Sequence, residues 1–575
     1  MRYIRKQSAG QLEIRAYDYA DEIASNSIVR FIALFVASLD LKALGFTGTK
    51  PAKTGRPGYD PRVMIQLYIY GYLNSIRSSR KLERECRRNI ELFYLLGRLT
   101  PDHNTIADFR KNNAKAIKKL FYIFVQSCRE MKLMGSESVC LDGTTIRAAN
   151  GKKNATNAEL SRKKLEYAKA QLEAVERYLK TLDENDLKEK RTTGALVLDL
   201  DKEHLPDIEK LKERIAKHEQ DLKTLEETGA KALVKNDPEA GLMPAKEGGI
   251  KVCYNMQTAV DVKSHMIAGF EATNIPSDRG QISSSMKPIM EDSGISTIHV
   301  IADKGYDSTN DVEDCLMNGI AADAGFIYDR DDRVITLEYH ATENPEELKT
   351  STQKKDIQAC LHAGILPDCY ANGNIRIEVQ EKSVISCFIR HEDGHVTCPH
   401  GKELYRLREA KSGTDYGSRE ACRTCTNRCT DSKHRKVVRF GPETVYVPVY
   451  MYGGSESPLQ QIPDIEQNTH YNRFGRVPQQ EKRVVIRVRR DIQKQKLRQR
   501  VSEHPFGTIK HWDGASFFLC KGKEKVSAEY ALSCLSYNFR RAYNICEGFE
   551  NLEKRWNHFI GTTMPIWAQK TKKQG

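Results

Sequence analysis

His299–Ser308 reads HVIADKGYDS. An apolar, partly β-branched run stops at Asp303, and Lys304-Gly305 behind it signals a turn. The segments upstream decide what this run belongs to. RGQISSSMKPIMEDSG, 279–294, reads as a helix. KVCYNMQTAVDVKSHMIAGFEATN, 251–274, holds two β-rich runs around the polar DVKSH, which predicts a hairpin. ESVCLDGTTIRAAN, 137–150, reads as a short strand ending at Asp142, with Gly143 next. Strand, helix, strand with an acid at the strand end is the α/β pattern in which sites form at the carboxyl ends of strands.

The bulk numbers fit a soluble multidomain chain. There are 575 residues, 39% hydrophobic and 29% charged, so two to four domains are expected. The apolar run FIALFVASL, 31–39, is bounded by Arg30 and Asp40 and is too short to span a bilayer. The first twenty residues carry charges throughout, so a cytoplasmic protein without membrane attachment is expected. Fifteen cysteines then read as thiols or metal ligands rather than disulfides.

The net charge of +14 is mild for this length, but it is clustered. Residues 482–500 hold nine Lys/Arg and one Asp; residues 77–88 hold six Lys/Arg and two Glu. Solvated helix faces explain most such runs, yet this density also suits a phosphate backbone. Arg77, Arg80, Arg84, Arg87, Arg88, Arg498 and Arg500 are the candidate DNA contacts.

Residues 1–135 read as an all-helical domain. Asp60 stands as an N-cap with Pro61 at the first helical position. Helices over 59–77, 78–97 and 100–132, the middle one basic, suit a helix-turn-helix-like DNA reader or, more plainly, a helical packing domain. Within 157–228, Leu165, Ala168, Leu172, Val175, Leu179 and Leu182 keep heptad spacing, and so do Ile208, Leu211, Ile215, His218, Leu222 and Leu225. That predicts an inserted antiparallel helical hairpin, or a dimerisation element. Residues 310–481 form an insertion with a Cys-rich part. From 482 to 550 a basic helix and an amphipathic helix are expected, and 551–575 is a tail.

Three acids stand out: Asp142, Asp303 and Glu503. Carboxylates brought together can hold two Mg²⁺ or Mn²⁺ ions, which suit hard oxygen ligands and phosphodiester displacement. No Walker A motif is present, so ATP is not implied. Helical spacing puts Lys496, Arg500 and Lys510 near the face of Glu503, although Pro505 would break or kink that helix. Glu503 could equally just neutralise a basic helix. Asp261 reads as a hairpin-turn residue, Asp307 as a cap of the next helix, and Asp278 as a further acid between the first two. Cys398, Cys422, Cys425 and Cys429 have spacing suited to structural zinc, with His400 and His434 as alternative ligands; unligated thiols are the plainer reading.

Taken together, the motifs resemble the DDE transposases of bacterial insertion sequences. PGYDPRVMIQLYIYGYLNSIRSSRKLERE with TPDHNTIADFRKN is similar to their helical N-terminal domain, and LDGTTIRAAN, YNMQTAVD, ADKGYDS and EHPFGTIK follow in the family's order. The resemblance implies an RNase H-like mixed sheet flanked by helices, an all-α DNA-binding domain, the helical-hairpin insertion and a small zinc-ribbon-like insertion. It implies Asp142, Asp303 and Glu503 as the Mg²⁺ or Mn²⁺ triad, and Lys510 at a phosphate near the cut. It implies cleavage at terminal inverted repeats and transfer of the 3′-OH to target DNA, by a nucleoid-associated homodimer. One branch carries the signature Y-x2-R-x3-E-x6-K. Here Glu503 and Lys510 match its second half, but Lys496 stands for the Tyr and Gln499 for the Arg, between Arg498 and Arg500. A nuclease that cuts without joining, and a catalytically silent DNA-binding repressor, are the competing expectations.

Overall fold

The computed structural model describes residues 18–50, 58–135, 138–150, 155–189, 207–228, 233–244, 248–326, 332–342, 344–371, 374–391, 393–398, 402–410, 413–425, 434–441, 446–452 and 481–562. It is a mixed helix-and-sheet protein. The chain divides into two compact units: residues 1–308 with 492–575, and residues 309–491.

The first unit begins with six helices: α1 (Ile28–Ala37), α2 (Pro61–Leu73), α3 (Ser79–Cys86), α4 (Ile90–Leu96), α5 (His103–Asn112) and α6 (Ala114–Glu130). Local chemistry sets their starts. The Ser27 hydroxyl accepts from Val29 N–H, Asp60 accepts from Arg62 N–H with Pro61 at the first position, and Asp102 accepts from Asn104 and Thr105 N–H. The stretch 78–97, which reads as one helix, is two. The Asn89 side chain accepts from Glu91 and Leu92 N–H and starts α4 anew. FIALFVASL lies mostly in α1, where Phe31 and Phe35 are fully buried. Among the described residues, no helix is long and apolar enough to cross a membrane.

The sheet of this unit follows. Strands β1 (Ser138–Arg147), β2 (Ala155–Thr156), β3 (Leu233–Val234), β4 (Gly241–Pro244), β5 (Ile250–Asp261), β6 (Ile267–Thr273) and β7 (Ile298–Ala302) are joined by α7 (Ala158–Glu189), α8 (Ile208–Thr228) and α9 (Ile282–Ser293). β6 and β4 pair antiparallel with β5, β5 antiparallel with β1, and β1 parallel with β7. The DVKSH turn joins β5 to β6 as its composition predicts. Asp261 Oδ2 accepts from Ser264 N–H at 2.7 Å and from its hydroxyl at 2.6 Å, which closes the turn. α7 and α8 pack on each other with Ala168, Val175, Leu211 and Leu225 buried, four of the heptad positions.

The second unit holds α10 (Thr309–Leu316), β8 (Ile320–Ala324), β9 (Asp332–Glu338), α11 (Pro345–Thr350), α12 (Lys354–His362), β10 (Ile375–Arg390), β11 (Val396–Thr397), β12 (Glu403–Ala410), β13 (Gly413–Gly417), α13 (Arg419–Arg423), β14 (Val438–Phe440), β15 (Tyr446–Tyr452) and β16 (Glu481–Arg489). Its sheet runs β14-β13-β12-β11-β10-β16-β9, with β15 also on the long β10. Phe388, Val396, Leu404, Tyr416, Val438 and Phe440 form a core there. The basic run from 482 therefore opens as a strand and not as a helix. Val484, Val485 and Ile486 are β-branched, and this run pairs with β9 on one side and β10 on the other.

The chain returns to the first unit as α14 (Ile492–Gly507), α15 (Lys523–Ile545) and α16 (Phe549–Thr562). Phe539 of α15 stacks on Phe124, meets Phe35 edge-to-face and tilts against Phe31, and Trp556 of α16 meets Phe31 and Phe35 edge-to-face. This aromatic cluster ties the N-terminal helices to the last two.

Candidate active site

Two acids far apart in sequence become neighbours through one strand pairing. β1 and β7 run parallel with Leu141 opposite Ala302, so the next residues on the two strands are Asp142 and Asp303. The strand does not end at Asp142 as the sequence suggests. β1 continues through Gly143 to Arg147, because Thr144 and Ile146 keep an alternating inward pattern on β5. β7 does end at Ala302, and Asp303 caps a 3₁₀ turn, Lys304–Tyr306, accepting from Gly305 N–H.

The two carboxylates are built alike. Asp142 Oδ1 accepts from Gly143 N–H at 2.9 Å, and Asp303 Oδ1 accepts from Gly305 N–H. Both Oδ2 atoms then meet one guanidinium from α14. Arg498 donates to Asp142 Oδ2 at 3.1 Å and to Asp303 Oδ2 at 3.4 Å. Burial pushes the Asp142 carboxyl up from its usual range; Ser502, Arg498 and the Gly143 N–H oppose that, and Asp303 adds to it.

Behind the pair lies a hydrogen-bonded chain. Tyr306 is buried, its phenol held protonated by desolvation, and it donates to Gln257 Oε1. Gln257 Nε2 donates to Asp278 Oδ1 at 2.7 Å, and Asn255 Nδ2 donates to the same oxygen at 2.9 Å. Asp278 and Gln257 come so close to β1 that any side chain after Asp142 would have to push them aside. A Cβ on residue 143 would lie 2.4 Å from Asp278 Oδ1. From the sequence Asp278 is only a further acid; the Asp-Gly step at 142–143 is the signal of its close approach.

α14 lies over these strands by its Arg498, Val501 and Ser502 side. Val501 packs with Cys140, Val260 and Ile301. The helix runs through Pro505 without a break and widens into a π-helical turn, Thr508–Trp512. Lys510 on that turn donates to the Thr145 carbonyl at 2.6 Å, three residues past Asp142. Glu503 is exposed on α14 and accepts from Gln499 Nε2 at 3.3 Å, one turn back. Lys496 and Arg500 are also exposed. Among the described residues, no three Asp, Glu, His or Cys side chains gather around one metal position.

The N-terminal basic set separates. Arg80, Arg84, Arg87 and Arg88 are exposed on or just after α3. Arg87 pairs with Glu83 at 2.8 Å, and Arg88 pairs with Glu85. Arg77 faces inward. It pairs with Glu529 at 2.8 Å and donates to the Gly514 and Phe517 carbonyls. In the second unit, Cys398 packs against the apolar core, while Cys422 lies on α13 and Cys425 just after it. Cys429 and His400 lie outside the described residues.

No curated protein matches the chain. Residues 18–112, which span α1 to α5, match a family model described as a transposase domain (DUF772). That match, on the helices that carry the exposed arginines, supports a transposase role in general, with DNA as the expected partner.

Proposed function

We propose that the chain is a DDE-type transposase with an RNase H-like core, which cuts DNA at the ends of a mobile element and joins the freed 3′-OH to target DNA. The observation that carries this reading is the Asp142–Asp303 pair on adjacent parallel strands, with one oxygen of each turned to one cation. The strand arrangement β6-β5-β1-β7, antiparallel until its last step, supports it as well.

The donor set fits Mg²⁺ or Mn²⁺. It consists of carboxylate oxygens only, and their shared focus already accepts a positive charge. Asp142 and Asp303 would hold the metal, and Glu503, which stands exposed and paired with Gln499, is the proposed third ligand. Such an ion, when bound, activates a water or 3′-OH and stabilises the leaving oxygen of a phosphodiester. The chain's own residues do the rest. Glycine N–H groups fix the two carboxylates, and Lys510, anchored on β1, places a cation beside them for a phosphate. Arg80, Arg84, Arg87, Arg88 and Arg500 offer charges to the backbone of terminal inverted repeats. No protein nucleophile is needed, so no serine or tyrosine is assigned one. Two ends must be joined together, so the working form is a homodimer, with the α7–α8 hairpin as its contact. Cys398, Cys422, Cys425 and Cys429 would hold a structural zinc.

The test is cleavage of a labelled duplex carrying candidate element ends, in Mg²⁺ or Mn²⁺. Wild type should cut, while Asp142→Asn, Asp303→Asn and Glu503→Gln should each bind DNA but cut more than about a hundredfold more slowly, since even supporting residues of metal sites cost 10–100-fold. If Glu503→Gln cuts normally, the third ligand is another acid, and Asp278 is the first to test. Cutting of pre-nicked ends without joining would make the protein a nuclease. Binding with no cutting by wild type would make it a repressor.

A further inference from the structure

Each acid gives one oxygen to a glycine N–H, and the second oxygen of each meets the same fork of nitrogens. A guanidinium there neutralises two carboxylates that would otherwise repel each other at close range. It also fills the position any divalent cation bridging them would take. The two cannot be there together. The contact is loose enough to give way. The Arg498 side chain keeps 16% of its surface exposed, and Asp142 and Asp303 keep 23% and 40%. Its bonds, at 3.1 and 3.4 Å, are long for charge-assisted ones. Arg498 also sits among exposed cations, Lys496 and Arg500, on a helix whose solvent side is basic. A displaced fork would stay within reach of a phosphate arriving at the acids, and it is shaped for bidentate phosphate binding.

We propose that Arg498 is a resident counter-ion that holds the Asp142–Asp303 pair closed to metal, and that a DNA phosphate opens the pair by taking the fork. This rests on the metal-binding reading above. Metal and DNA then bind cooperatively: each removes a cost the other would otherwise meet. The free protein keeps a low affinity for divalent ions, and the site fills when DNA is in place. Arg498 acts through the acids as a gate and need not touch the reacting atoms.

The experiment measures Mn²⁺ binding to the full chain by electron paramagnetic resonance, with and without a short duplex, alongside thermal unfolding of the same samples. Arg498→Met and Arg498→Gln are compared with wild type; Gln keeps hydrogen-bonding capacity without charge. Both variants should bind Mn²⁺ on the order of tenfold tighter than wild type in the absence of DNA. Duplex should tighten Mn²⁺ binding to wild type by a similar factor and leave the variants nearly unchanged. Mn²⁺ alone should raise the unfolding midpoint of the variants more than that of wild type. Equal Mn²⁺ affinity in wild type and variants, with Asp303→Asn abolishing it, overturns the gate and leaves the metal site standing. No Mn²⁺ binding by any folded form overturns both.

Discussion

Two arginines drawn from the two basic stretches, Arg77 and Arg498, each abandon solvent for an acid, and they do so on different terms. Arg77 is 8% exposed and Glu529 2%, and the guanidinium also binds two backbone carbonyls while the carboxylate accepts from the Leu519 and Cys520 N–H groups. Both charges there are paired inside the protein, so the pair is a fixed joint between the N-terminal helices and α15. Arg498 reaches two acids at the edge of solvent with long bonds, and neither acid depends on it alone. Local composition is alike in both stretches. What separates a joint from a gate is how far water is shut out and how many partners remain when one leaves.

The comparison breaks first at the joint. Arg77→Met should strip Glu529 of its buried partner and cost about 3–5 kcal/mol, read as a lower midpoint in urea. Arg498→Met should cost less than about 1 kcal/mol. Equal losses would erase the distinction. Next comes the backbone beside the gate. Gly143→Ala pushes a methyl into Asp278 and should cost about 1–3 kcal/mol, and it should slow cleavage by moving Asp142.

A third arginine–acid cluster sharpens the rule in the other unit. Hydrogen bonds from Arg439 and then Arg408 hold the Asp415 carboxyl far below the usual carboxylate range. A lowered acid stabilises the fold above the unfolded value, about pH 3.9, and that contribution is lost as pH falls further toward the folded value. Acid unfolding of wild type should therefore deepen below about pH 4, and Asp415→Asn should flatten that dependence. The smallest effect belongs to the exposed charges. Arg80→Ala and Arg84→Ala should leave stability within about 0.5 kcal/mol and each lower the salt slope of DNA binding by about one, measured by filter binding across a salt series.

Much of the first unit was legible in the sequence. Asp60-Pro61 marked the start of α2, DVKSH marked the β5–β6 turn, and the heptads marked the hairpin, because each is a local rule obeyed locally. Asp303 at its strand end was legible for the same reason. β1 runs five residues past Asp142 to Arg147, since Gly143 is not a stop but a clearance for Asp278. That clearance depends on residues 135 positions downstream, which no local pattern reports. The inward turn of Arg77 and the acid partners of Arg498 are hidden by the same limit. Charge density predicts a surface, and only tertiary packing reveals which members turn inward. The charges of the run from 482 suggest a helix, while its β-branched residues and its two strand partners make it β16.

The order of the chain adds a consequence in time. Asp303 leaves the ribosome long before Arg498, because the whole second unit, residues 309–491, is encoded between them. At 5–20 residues per second the delay is roughly 10–40 s. Through that interval the nascent chain holds both acids but not the arginine that closes them. An early-folding sheet would present an unguarded cation trap. Completion of α14 is therefore also the moment at which the protein becomes silent by default.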